Sequence, residues 1–74
     1  MTNTNVIAEV SGTVWKIVVA VGDRVEAEQE VMILESMKME IPALASGAGV
    51  VLSLLVAEGE AVSEGQALAV IQLG

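Results

Sequence analysis

Glu26-Ala27-Glu28-Gln29-Glu30-Val31-Met32-Ile33-Leu34-Glu35-Ser36-Met37-Lys38-Met39-Glu40-Ile41 is the stretch on which the fold turns. Read alone, it favours a helix over 26–40. No Gly, Pro or Asn interrupts the chain from Arg24 to Ile41, residues 26–30 are good helix formers, and Val31, Leu34, Met37 and Ile41 recur at roughly helical spacing. A second copy of the pattern argues the other way. Shifting the chain by 37 residues lays 12–34 over 49–71, and seven of those 23 positions are identical. They are Gly12/Gly49, Val14/Val51, Val19/Val56, Ala20/Ala57, Gly22/Gly59, Val25/Val62 and Gln29/Gln66. The copy of the ambiguous stretch, 63–71, contains Gly65 and lies in a unit of short Val/Ile/Leu runs separated by turn signals. Context therefore overrides the weak local propensity, and the helix over 26–40 is rejected in favour of a strand-built unit.

Outward from that stretch the pattern is uniform. Thr13–Val19 and Gly49–Val56 are rich in β-branched residues, which fit a pleated surface. Gly22-Asp23, Glu58-Gly59-Glu60 and Glu64-Gly65 punctuate them as turns. Gly12, Gly22, Gly49 and Gly59 are structural positions, needing close packing or positive φ. Residues 2–5 are polar turn formers, expected to be a loose lead-in. Two repeats of about four short strands predict an all-β fold with no helix. Its expected form is a flattened antiparallel barrel or sandwich of two four-stranded sheets, with an internal pseudo-two-fold axis. One domain is expected over 1–74, with repeat halves at about 6–37 and 43–74 joined by a hairpin at 35–41.

Composition excludes whole classes of function. The chain of 74 residues has no Cys, His, Tyr or Phe. The usual general base, the commonest metal ligand and most stacking platforms are therefore missing, and neither a catalytic residue nor a metal site is expected. Three basic against ten acidic residues give a net charge of −7. That disfavours nucleic acid and anionic membranes, both of which are recognised through Lys and Arg. No apolar run is long enough to span a bilayer, and the first residues lack a signal-peptide pattern. A cytoplasmic location is expected. Trp15, the only aromatic residue, is expected to be a core anchor, with a partner contact as the alternative.

The hairpin is where chemistry is expected. Tight turns favour Asn-Gly or Asp-Gly, yet Met and Lys stand at its centre. A site that breaks a local rule is often functional. Lys38 there is a flexible ammonium clear of the body, suited to accepting an acyl group. Met37 and Met39 give it a soft apolar rim, with core filling as their alternative role.

Glu35-Ser36-Met37-Lys38-Met39-Glu40 resembles the acceptor signature of the biotinyl/lipoyl attachment family, biotin carboxyl carrier type. The resemblance extends over about 6–73, through Ser11-Gly12-Thr13-Val14, Val21-Gly22-Asp23-Arg24-Val25 and Glu58-Gly59-Glu60-Ala61-Val62. It implies a flattened two-fold barrel with biotin joined by an amide to Lys38. It also implies that Met37, Met39 and Glu35 serve recognition by a biotin protein ligase, which uses biotinyl-adenylate. Ser36 stands where Ala is more familiar, and the Pro usual before the first Gly is replaced by Val10-Ser11. The implied role is a non-catalytic carrier, expected to be monomeric in isolation. It would shuttle a carboxyl group between a biotin carboxylase and a carboxyltransferase, most often of an acyl-CoA carboxylase. Two alternatives stand beside it. A lipoyl carrier usually has Asp before and Ala after its lysine, unlike Met-Lys-Met, and an unmodified β interaction module would gain no biotin from a ligase.

Overall fold

The computed structural model describes residues 2–74; Met1, the first residue of the expected domain, lies outside the described residues. Eight strands run in order: β1 (Asn3–Ile7), β2 (Gly12–Ile17), β3 (Arg24–Val25), β4 (Glu30–Ser36), β5 (Met39–Leu44), β6 (Gly49–Leu54), β7 (Ala61–Val62) and β8 (Ala67–Leu73). No helix forms among the described residues, and the ambiguous 26–40 stretch is a turn followed by β4 and the start of β5. The strands make two antiparallel four-stranded sheets, β1-β8-β6-β3 and β5-β4-β2-β7.

The 37-residue offset maps one sheet onto the other strand by strand, β1 to β5, β2 to β6, β3 to β7 and β4 to β8. Hydrogen bonds follow the same rule. Gly22 N–H donates to the Val51 carbonyl at 2.8 Å, and its copy Gly59 N–H donates to Val14 at 2.7 Å. Because β3 pairs with β6 and β7 with β2, each sheet takes two strands from each half. The halves are thus interlocked.

The core obeys the repeat as well. Among the described residues, fourteen of the fifteen buried apolar side chains fall into seven pairs at the same offset, including Val14/Val51, Val25/Val62, Val31/Leu68 and Leu34/Ile71. No polar or charged residue is buried among them. Packing of these pairs between the sheets, at roughly 25 cal/mol per Å² of apolar area removed from water, is the main stabilising term.

Four turns of one kind close the ends of the barrel, at 20–23, 26–29, 57–60 and 63–66. In each, the fourth N–H donates to the first carbonyl at 3.0–3.1 Å, and the third residue has positive φ, as a type II turn requires. Gly22, Gly59 and Gly65 occupy that position in three turns, but Glu28 (φ 66°) occupies it in the fourth. Gly12 and Gly49 are needed for a different reason: a Cβ on either would run into a backbone carbonyl, of Glu35 and Gln72 respectively.

Two expectations are corrected. Residues 2–5 are not a loose lead-in, since β1 begins at Asn3 and pairs with β8 from Asn3↔Gln72 onward. Ladder hydrogen bonds override the poor strand propensity of Asn3 and Asn5. Trp15 is not a core anchor but is 49% exposed. It is the extra residue where the β2–β4 register slips between Val14 and Lys16. A bulge of this kind turns two successive side chains away from the core, and Val14 alone fills the inward position.

Candidate functional site: the β4–β5 hairpin

β4 and β5 pair from Glu30↔Leu44 to Ser36↔Met39, leaving Met37 and Lys38 as a two-residue loop. Both have positive φ, 52° and 66°, which defines a type I′ turn. Its twist matches that of the flanking strands, so the register demands this turn whatever residues stand there. A side chain in the left-handed region costs about 1 kcal/mol per residue. Two such residues are held here without Gly or Asn.

The turn presents Lys38 to solvent. Lys38 is exposed, Met37 is 93% exposed and Met39 64%. Among the described residues, therefore, both methionines face solvent and neither is a core filler. Behind the tip the hairpin is anchored. The Ser36 hydroxyl donates to the Ser11 carbonyl at 2.9 Å, and the Ser11 hydroxyl accepts from Glu64 N–H at 3.0 Å. Together with Gly12, packed beneath the Glu35 carbonyl, these contacts hold the root of the tip to the body.

Glu35 and Glu40 sit directly across from each other on adjacent strands, both exposed. Like charges opposed in this way destabilise a sheet. Their copies in the other half are Gln72 and Asn3, a neutral pair in the same register. Glu35, Met37, Lys38 and Met39 are therefore gathered on one hairpin, and Glu40 joins them. Sequence reasoning read Ser36 merely as a small residue, because its partner lies 25 positions away and is a backbone carbonyl.

No group of three or more His, Cys, Asp or Glu residues among the described residues could hold a metal ion. A shallow groove between β1 and β5, lined by Asn5, Ile7, Glu9 and Pro42 among others, has Glu9 as its sole ionisable side chain. Neither it nor the tip assembles a general acid and base. What the site can do is present an amine.

A barrel that displays one lysine on a rigid, strained turn defines a carrier domain, and comparison with known proteins agrees. The family model described as "Biotin-requiring enzyme", the biotin/lipoyl family, matches residues 3–71. The chain is 48% identical over 60 residues to a biotin/lipoyl attachment protein of Bacillus subtilis, covering 81% of this chain and 82% of that one. It is 44% identical over 64 residues to a biotin carboxyl carrier protein of Streptococcus mutans, covering 86% of this chain and 49% of the relative. Among solved structures, the urea carboxylase of Kluyveromyces lactis contains a domain that superposes with a TM-score of 0.92 at 39% identity, covering 97% of this chain and 6% of that one. The chain thus spans most of the small relative and a small part of the large enzyme. It belongs to the biotin/lipoyl attachment family.

Proposed function

We propose that Lys38 is the residue that carries biotin, and that Met37, Met39 and Glu35 form the surface by which a biotin protein ligase recognises it. The chain is a biotin carboxyl carrier and has no catalytic step of its own. The observation that carries the Lys38 assignment is the type I′ turn with Met37 and Lys38 at its two positive-φ positions. Nothing in the barrel requires those side chains there, and Gly would suit the backbone better.

The tip fits the cofactor chemically. An amine on a four-carbon stem, exposed at the apex, can enter an enzyme's active site while the barrel stays outside. In the ligase reaction the neutral Lys38 amine attacks the acyl carbon of biotinyl-adenylate. The amide C–N bond forms, the acyl C–O bond breaks, AMP leaves, and the amine loses a proton. Biotin, when bound, supplies a ring nitrogen able to carry a carboxyl group.

The barrel's own contribution is mechanical. Ser36, Ser11 and Gly12 keep the root of the hairpin rigid, so that the modified lysine swings from a fixed point. Tethering turns each encounter with a partner enzyme into an intramolecular one at high effective concentration. The partners in this reading are a biotin carboxylase and a carboxyltransferase, with an acyl-CoA system as the acceptor side. Net charge of −7 repels copies of the chain from one another and supports a monomer. No helix of the described residues is long and apolar enough to cross a membrane. A cytoplasmic location belongs to the proposal, because the ligase draws on ATP.

The test is Lys38→Arg, co-expressed with a ligase and assayed by streptavidin gel shift beside far-UV circular dichroism. The variant is expected to keep its strand signal and lose all biotin. Retained biotin in a folded variant would move the site away from Lys38.

A further inference from the structure

The pseudo-two-fold repeat provides an internal control for function, because matched positions share one backbone and should differ only where a role differs. On the outer face of β5-β4-β2-β7, alternation and register align Thr13, Glu35 and Glu40 in one row and Lys16, Ile33 and Pro42 in the next. The bulge adds Trp15 beside them. Positions 37 residues away on the other sheet's outer face are Val50, Gln72, Asn3, Ser53, Val70, Asn5 and, at the matching bulge, Leu52. The tip-bearing face has thus acquired a tryptophan and two opposed carboxylates that the fold does not need. Leu52 performs the bulge's structural task at 40% exposure, whereas Trp15 leaves a far larger aromatic surface 49% exposed.

We propose that this face, with Trp15 as anchor and Glu35 and Glu40 as its charged edge, is the docking surface for the enzyme that acylates Lys38. The inference rests on the carrier reading given above. Two arguments select that occupant. The face is continuous with the hairpin, since β4 and β5 form both. And the unmodified lysine has only a four-carbon stem, so the acylating active site must abut the hairpin's root; later partners reach a longer, modified arm and can stand off. The complementary surface is an apolar pocket flanked by Arg or Lys. A guanidinium between Glu35 and Glu40 would remove their mutual repulsion, giving a charge-assisted contact at the edge of an aromatic hot spot.

The 74-residue chain is titrated as substrate for a biotin protein ligase with biotin and ATP, comparing wild type, Trp15→Leu, Leu52→Ala and Glu40→Gln. Trp15→Leu installs the residue that the same bulge already accommodates at position 52. It is expected to lower kcat/KM about tenfold, through KM with kcat unchanged, as loss of an aromatic anchor does. Leu52→Ala should match wild type, and Glu40→Gln should flatten the fall of kcat/KM with added salt. In Lys38→Arg chain labelled with fluorinated tryptophan, the 19F resonance of Trp15, its one tryptophan, should also shift when unlabelled ligase is added. Trp15→Leu at wild-type efficiency, or an equal loss in Leu52→Ala, overturns the proposal while leaving the carrier reading intact. Wild-type chain that gains no biotin overturns both.

Discussion

Glu35 and Glu40 face each other across the β4–β5 ladder, two exposed carboxylates in a register where the other half of the molecule places Gln72 against Asn3. The pairing opposes folding, because like charges directly across a sheet are unfavourable by a few tenths of a kcal/mol or more. Glu35 lies three residues before Lys38 and Glu40 two residues after it. On the proposed reading, stability and recognition are in competition at the root of the tip.

Replacing Glu40 with Gln should stabilise the domain by about 0.5 kcal/mol by relieving that repulsion. Urea denaturation measures it. The gain should shrink in 1 M salt, where the Debye length falls to about 3 Å. An equal gain at high salt would assign the effect to something other than charge.

Glu28 provides a second test of the repeat. It has φ 66° where its copy Gly65 has 89°. Glu28→Gly should be neutral to stabilising by up to about 0.5 kcal/mol, since relief of the left-handed conformation offsets the greater flexibility of the unfolded chain. Gly65→Ala, which imposes the same strain on the copy, should cost about 1 kcal/mol. Marked destabilisation by Glu28→Gly, or no cost for Gly65→Ala, read from chemical denaturation, would contradict the shared turn geometry.

Ser36→Ala removes the hydroxyl that donates to the Ser11 carbonyl. A cost of about 0.5–1 kcal/mol is expected for one partly exposed hydrogen bond. The effect should be local. Amide exchange at Met37, Lys38 and Met39 should accelerate more than exchange in the core strands. Uniform acceleration would mean that Ser36 supports the whole fold and not the tip.

How much of this was legible in the sequence depended on the repeat. Locally β4 reads as helix, and only its copy around Gly65 turned the reading to strand. The glycine pairs were legible because a repeated backbone needs the same concession at each copy: close approach to a carbonyl at 12 and 49, positive φ at 22 and 59. Trp15 was misread because residue type was taken as burial. A bulge is set by pairing with β4, which no local pattern reveals. β1 was missed for a similar reason, as Asn3, Thr4 and Asn5 become strand only through β8. The hairpin itself was legible as a turn of unsuitable residues. Its anchoring through Ser11 was not, because a hydroxyl's long-range backbone partner leaves no periodic trace.

Leu34 and Ile71 occupy equivalent core positions, 1% and 0% exposed. Truncation of either to Ala should cost about 2–4 kcal/mol. The two losses should agree within about 1 kcal/mol if the sheets share the core equally. Thermal or urea unfolding decides it, and a twofold disparity would show one sheet to be the dominant scaffold.

The central claim is that Lys38 is the attachment point, and intact mass followed by peptide mapping tests it most directly. The chain is incubated with biotin, ATP and a biotin protein ligase. Lys16 and Lys38 are its only lysines, so the map has two addresses to distinguish. The account predicts a gain of one biotin less one water, located wholly on the peptide that contains Lys38. Biotin on Lys16, or an unchanged mass in a folded chain, would contradict it.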